Sequence, residues 1–147
     1  MFGGRKIALT ASADHVELTA DHLVLGLELC WQNQTDAPIS VKDVQLKVAL
    51  PGRGKEPLRF YPLERFLHVP NHRAVQKKPV RPFTLPIGEP HTEQIRFISQ
   101  EVLDLPAGSY AAAIELKDTG DISYINETTL RIRNEIRYRR SEEWERD

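Results

Sequence analysis

From His22 to Leu50 the chain alternates. Leu23, Leu25, Leu27, Leu29 and Trp31 occupy every second position, and His22, Val24, Gly26, Glu28, Cys30 and Gln32 occupy the others. Successive side chains of an extended strand point to opposite faces, so this order builds one apolar face and one mixed face. Asn33-Gln34-Thr35-Asp36-Ala37-Pro38 then supplies turn formers, after which Val44, Leu46, Val48 and Leu50 alternate with Asp43, Gln45 and Lys47. Two strands joined in this way leave an apolar face uncovered, and further strands must cover it.

The flanking sequence offers those strands. Residues 5–13 and 15–20 read as two short opening strands, with Ile7, Leu9, Val16 and Leu18 alternating with polar neighbours. Gly26 inside a strand marks a bulge or a close approach. Between Pro51 and Pro90 lie eight of the ten prolines, and proline removes a ladder donor, so this segment is expected to hold only short edge strands, at 58–61 and 81–85. Regular strands resume with Ile95 and Phe97 and again at residues 109–117, where Tyr110, Ala112, Ile114 and Leu116 share a face. Residues 99–105 fit one helical turn or a crossing loop. Asp118-Thr119-Gly120-Asp121 is a hairpin turn, and Leu130 and Ile132 then point inward opposite Arg131 and Arg133.

Seven or eight strands with no sustained helical period predict an all-β chain, a single antiparallel β-sandwich. Residues 1–133 form the domain, 51–90 a long proline-rich basic connection inside it, and 134–147 a charged C-terminal arm or short helix. The segment LELCWQNQTDAPISVKDVQLKV resembles the paired B and C strands of immunoglobulin-like and fibronectin-type-III-like domains, and LPAGSYAAAIEL resembles their penultimate strand. That resemblance implies an immunoglobulin-like architecture, with the Tyr110 hydroxyl bonded to backbone a few residues upstream. Bacterial intracellular proteinase inhibitors are also similar, in the polar turn and the late Pro-Ala-Gly-x-Tyr-like segment.

A chain of 147 residues is most simply one domain. Its lone cysteine, Cys30, cannot close an internal disulfide and reads as a small buried hydrophobe, so a reducing cytoplasm is expected. The first fifteen residues hold no apolar run of secretory length, and no run approaches the roughly twenty apolar residues that span a bilayer. The Asn33 and Asn126 sequons therefore read as turn or strand residues.

Function is less sharply written. A nucleophile on a strained turn with a base beside it is not recognisable, and the carboxylates are scattered singly. Pro51-Gly52-Arg53-Gly54-Lys55 is a basic turn that lacks the spacing and the following helix of a phosphate loop. His68 and His72 stand four apart, but Pro70 prevents the helix that would align them, so a metal site with His91 and a carboxylate such as Glu64 requires a loop to gather them. Surface histidines are the simpler reading, and no metal or cofactor is expected.

Charge is uneven. Residues 51–90 carry eight positive side chains against three negative, a surplus of five on a chain whose net charge is -1. Arg59, Tyr61, Arg65, Phe66 and Arg81 in this segment, and Arg137, Arg139 and Trp144 in the arm, are the candidate binding residues, because they combine cations with rings. If the last strand ran on past Asn134, an apolar stripe would invite strand addition or a second subunit. The expectation is a non-catalytic binding module with a protein partner, itself in a homodimer or with another chain. Nucleic acid is disfavoured by the overall acidic balance. The alternatives are a carbohydrate or ligand module using exposed Trp31, Tyr61 or Tyr124, and the metal-dependent enzyme above.

Overall fold

A computed structural model describes residues 7–52, 56–68, 75–99, 101 and 103–139; of residues 68, 75, 138 and 139 it describes the backbone alone. Ten strands follow in order: β1 (Ile7–Leu18), β2 (Leu23–Asn33), β3 (Ile39–Val48), β4 (Leu58–His68), β5 (Val75–Lys78), β6 (Phe83–Leu85), β7 (Pro90–Ser99), β8 (Gly108–Asp118), β9 (Ser123–Ile132) and β10 (Arg137–Arg139). Among the described residues the helical content is one 3-10 turn, Asn134–Ile136.

All ten strands belong to one sheet, in the order β10-β1-β2-β7-β4-β3-β8-β9, with β5 added to β4 and β6 to β3. The ladders are antiparallel except β1 with β10. The sheet curls towards closure. At its meeting edges β1 and β9 are tied by Asn126, whose Nδ2 donates to the Ile7 carbonyl at 2.7 Å.

The alternation of β2 and β3 becomes the core. Leu23, Leu25, Leu27, Leu29 and Trp31 are fully buried, and they meet Val44, Leu46 and Val48 of β3 and Ile114 and Leu116 of β8 in one apolar cluster. Burial of a side chain of this size stabilises by roughly 1.5–3 kcal/mol before entropy is charged against it. Asn33 closes the β2–β3 turn. Its Nδ2 donates to the Ala37 and Leu85 carbonyls, and its Oδ1 accepts from the Thr35 N–H and hydroxyl. The first sequon asparagine is thus fully occupied inside the fold. Gly88, at φ +74°, lets the backbone turn tightly enough to donate to the Asn33 carbonyl at 2.9 Å.

Two expectations are corrected. The two opening strands are one twelve-residue strand, bent by a bulge between Ala13 and His15, so the side-chain parity shifts without the strand ending. The proline-rich segment does not hold only short edge strands, since β4 runs for eleven residues between β7 and β3. Pro62 is accommodated because it sits where β4 exchanges one neighbour for the other: residues 58–60 pair with β3, Tyr61 onward pairs with β7, and a bulge follows at Pro62/Glu64. The 118–121 hairpin turn forms as expected, with Asp121 left-handed (φ 64°) and the Asp118 carboxylate accepting from the Gly120 and Ile122 N–H groups. Beyond Asn134 the chain adds a strand to its own β1, opposite Val16–Leu18.

The Tyr110 hydroxyl donates to the Pro106 carbonyl four residues upstream. Burial, the largest influence, holds this hydroxyl above its ordinary value of 10.0. The unfolded chain therefore loses the proton first as pH rises, and the linked stabilisation, complete below pH 10, is lost as pH climbs through the folded value. Tyr110→Phe is expected to cost about 1 kcal/mol at neutral pH and to shallow the alkaline loss of stability, both read from urea unfolding. An unchanged midpoint at neutral pH would remove the corner role.

Candidate functional site

The sheet has an opening in its wall between β3 and β4. β3 carries β8 along one side; along the other it pairs with β6 over Ile39–Val41 and with β4 over Leu46–Val48. Lys42, Asp43, Val44 and Gln45 are left without a ladder partner on that side among the described residues. β4 is built the same way. Opposite β7 it pairs with β3 over Leu58–Phe60 and with β5 over Arg65–His68, and residues 61–64 between them face the same opening.

The two strands part because different short strands take over each edge, and residues 79–82, exposed throughout, connect them across the mouth. The resulting cleft, about 330 Å³ counted out to solvent, has Val41 to Val44 on one wall and Pro62 and Arg65 on the other, with Val80, Arg81 and Phe83 crossing it. Its lining contains no Ser, Thr, Cys or Tyr. It offers charge, an aromatic plane and aliphatic surface.

One chain of contacts connects this cleft to the core. Fully buried Trp31 stacks on Phe83 with ring centroids 5.4 Å apart, and Phe83 stacks on His91 at 5.0 Å. His91 Nε2 lies 2.7 Å from Glu93 Oε2, and the other Glu93 oxygen lies 3.4 Å from Arg65 Nε. On the opposite wall the Lys42 ammonium bonds the Asp121 carboxylate and, with its charge, holds that carboxyl below the usual range. Arg81 is exposed and makes no ion pair among the described residues.

The predicted binding residues separate. Arg65 and Arg81 meet at the cleft. Arg59 and Tyr61 are exposed on β4 outside it, Tyr61 at 46%. Arg137 bonds both Asp104 oxygens, at 2.7 and 2.8 Å. The backbone of Arg139 ends β10, and Trp144 lies outside the described residues. Phe66 is corrected outright, being 1% exposed and unavailable to a ligand. Trp31 is not solvent-facing either, so a carbohydrate platform that includes it is not present. The ring of His68 and the whole of His72 are outside the described residues, and among those described no three His, Cys, Asp or Glu side chains could together hold a metal.

A second polar feature lies on the sheet face opposite the core, where His15 is 4% exposed. Its Nδ1 lies 2.8 Å from Asp14 Oδ2, its Nε2 lies 3.2 Å from Arg96 Nη1, and its ring meets Phe66 edge-on at 5.0 Å. Arg96 also reaches Glu17 at 3.2 Å through Nη2. Its Nε lies 2.9 Å from Glu64 Oε2, an ion-pair distance at an angle that makes no hydrogen bond. Gly26 is the signal that pointed here: a Cβ at that position would lie 2.2 Å from the His15 ring.

No family model matches the sequence, and no curated protein matches it. Among solved structures it is similar to the sporulation control protein Spo0M from Bacillus subtilis, at 10% identity and TM-score 0.40 over 89% of this chain and 51% of that one. It is also similar to a family 123 glycoside hydrolase from Clostridium perfringens, at 10% identity and TM-score 0.36 over 85% of this chain and 27% of that one. A third is the alkylpurine DNA glycosylase AlkC from Pseudomonas fluorescens, at 12% identity and TM-score 0.34 over 88% and 32%. The chain thus spans about half of the first and a third or less of the others.

Gly26→Ala is expected to destabilise by about 1–3 kcal/mol, because the His15 ring is held on three sides and cannot yield. In a His15→Ala background the same substitution should cost much less. Denaturant midpoints of the four proteins of the cycle measure this coupling, and simple additivity would show that the ring is not what Gly26 accommodates.

Proposed function

We propose that this chain is a non-catalytic protein-interaction module that binds its partner at the opening between β3 and β4. The observation that carries the reading is the parting of two strands within the sheet, beneath a rim with exposed Val80 and the cation of Arg81, which makes no ion pair among the described residues. Recognition commonly uses irregular segments held on a rigid sheet, and here the 51–90 segment contributes the rim while β2 and β3 supply the rigidity.

The finer reading of the fold as an immunoglobulin-like sandwich belongs to the same proposal, supported by the Tyr110 bond to Pro106. So does a cytoplasmic setting, supported by the single cysteine. Among the described residues no helix is long and apolar enough to cross a membrane.

Panning a random-peptide display library against the full chain tests the site. Selected peptides are expected to lose at least about tenfold in affinity for a Val80→Asp, Arg81→Glu variant, whose changed side chains are exposed and should leave folding intact. Absence of enrichment, or peptides that bind both proteins equally, would overturn the assignment.

A further inference from the structure

We infer that the occupant of the opening is an extended acidic peptide segment that adds as a strand to β3; this rests on the opening being the binding surface. The first argument is from backbone donors. An incoming strand needs a partner with N–H and C=O groups to share. On the β4 side the facing edge contains Pro62, which has no N–H, and the connection across the mouth contains Pro79 and Pro82. On the β3 side, Lys42 to Gln45 contain no proline. The Val44 N–H is held by its neighbour's side chain, Asp43 Oδ1, at 3.0 Å, and Asp43 Oδ2 accepts from Gln45 Nε2 at 3.1 Å. Asp43 caps this short edge in the free protein, and an arriving strand takes its place.

The second argument is charge. The cations at the rim outnumber the acids free to answer them. Glu93 is shared between Arg65 and His91, Glu64 is drawn towards Arg96 with Lys77 a further 4.0 Å contact, and Arg81 and Lys78 are exposed without an ion pair among the described residues. An acidic segment complements this rim, and moving the Asp43 carboxylate aside removes a like charge from the edge. Because strand side chains alternate, acids at every second position would face the rim cations while the intervening apolar residues cover Val80 and Phe83. The unpaired edge is four residues long, roughly 13 Å at about 3.3 Å per residue, so a segment of about four to six residues fills it.

The test uses the full chain with Trp144→Phe, so that Trp31, stacked on the cleft residue Phe83, reports binding by its emission. Capped octapeptides of alternating Glu-Val and alternating Lys-Val are the probes. Expected are saturable binding of the acidic peptide only, weakening several-fold as salt rises to about 0.3 M, a loss of about tenfold in Arg81→Glu, and a gain of about threefold or more in Asp43→Ala. Equal binding of both peptides, or acidic binding indifferent to both variants, would overturn the inference. So would self-association of the chain, by mass in solution, that Arg81→Glu abolishes, because the edge would then serve a second copy. Library-selected peptides that depend on Val80 and Arg81 but carry no acidic pattern would also overturn it while leaving the opening as the binding surface.

Discussion

The two halves of the sheet are joined by one short ladder. β10, β1, β2, β7 and β4 form one half and β3, β8 and β9 the other, and the hydrogen-bonded seam between β4 and β3 is three residue pairs, Leu46 with Phe60, Lys47 with Arg59 and Val48 with Leu58. So short a ladder has little strength of its own. What secures it is apolar: Leu46, Val48, Leu58 and Phe60 are at most 1% exposed, and burial of this kind contributes roughly 1.5–3 kcal/mol per side chain against about 1 kcal/mol net per hydrogen bond. The opening lies directly beside this seam, where the ladder stops at Leu46 and Phe60. A longer β3–β4 ladder would close the opening.

Sequence periodicity was informative where one face of a strand is buried and the other is not. β2 and β3, the inward row of β8 and the Leu130 and Ile132 positions of β9 were all legible for that reason. β4 was not, because proline content was read as exclusion from the sheet interior, whereas Pro62 falls at the exchange of neighbours where a missing N–H costs least. β1 was read as two strands for a related reason. The bulge at Asp14 shifts the alternation by one residue, and a shift in pattern looks the same in sequence whether the strand bends or ends.

The site residues divide along the same line. A count of cations and rings between Pro51 and Pro90 found Arg65 and Arg81, which do meet, and also Phe66, which does not face solvent. Composition cannot tell the two faces of β4 apart, because register after the Pro62 bulge decides which side each residue takes. The buried network of His15, Glu17, Arg96 and Glu64 was invisible for a different reason: its members come from β1, β7 and β4, and only the sheet order brings them together. Gly26 was its one trace in the sequence. Replacing such a charge cluster with apolar residues is often neutral or stabilising, while removing one member leaves the others buried with less compensation. Its evident structural effect is to fix the register of three strands over a glycine that has no side chain to interfere.

An unpaired strand edge is ordinarily a hazard, since any other edge can pair with it. The opening between β3 and β4 limits that hazard in three ways visible in the structure. Its free edge is four residues long, the facing edge and the connection across it contain proline, and the Asp43 carboxylate occupies the Val44 N–H. Together they disfavour indiscriminate pairing without eliminating the edge, and a sheet with no use for the opening could have removed it by extending β6 or β5. A short edge capped by a carboxylate, beside cations that would repel a basic strand and attract an acidic one, would discriminate among strands before any side-chain pocket were involved. The capped backbone and the rim charge thus act on the same four residues.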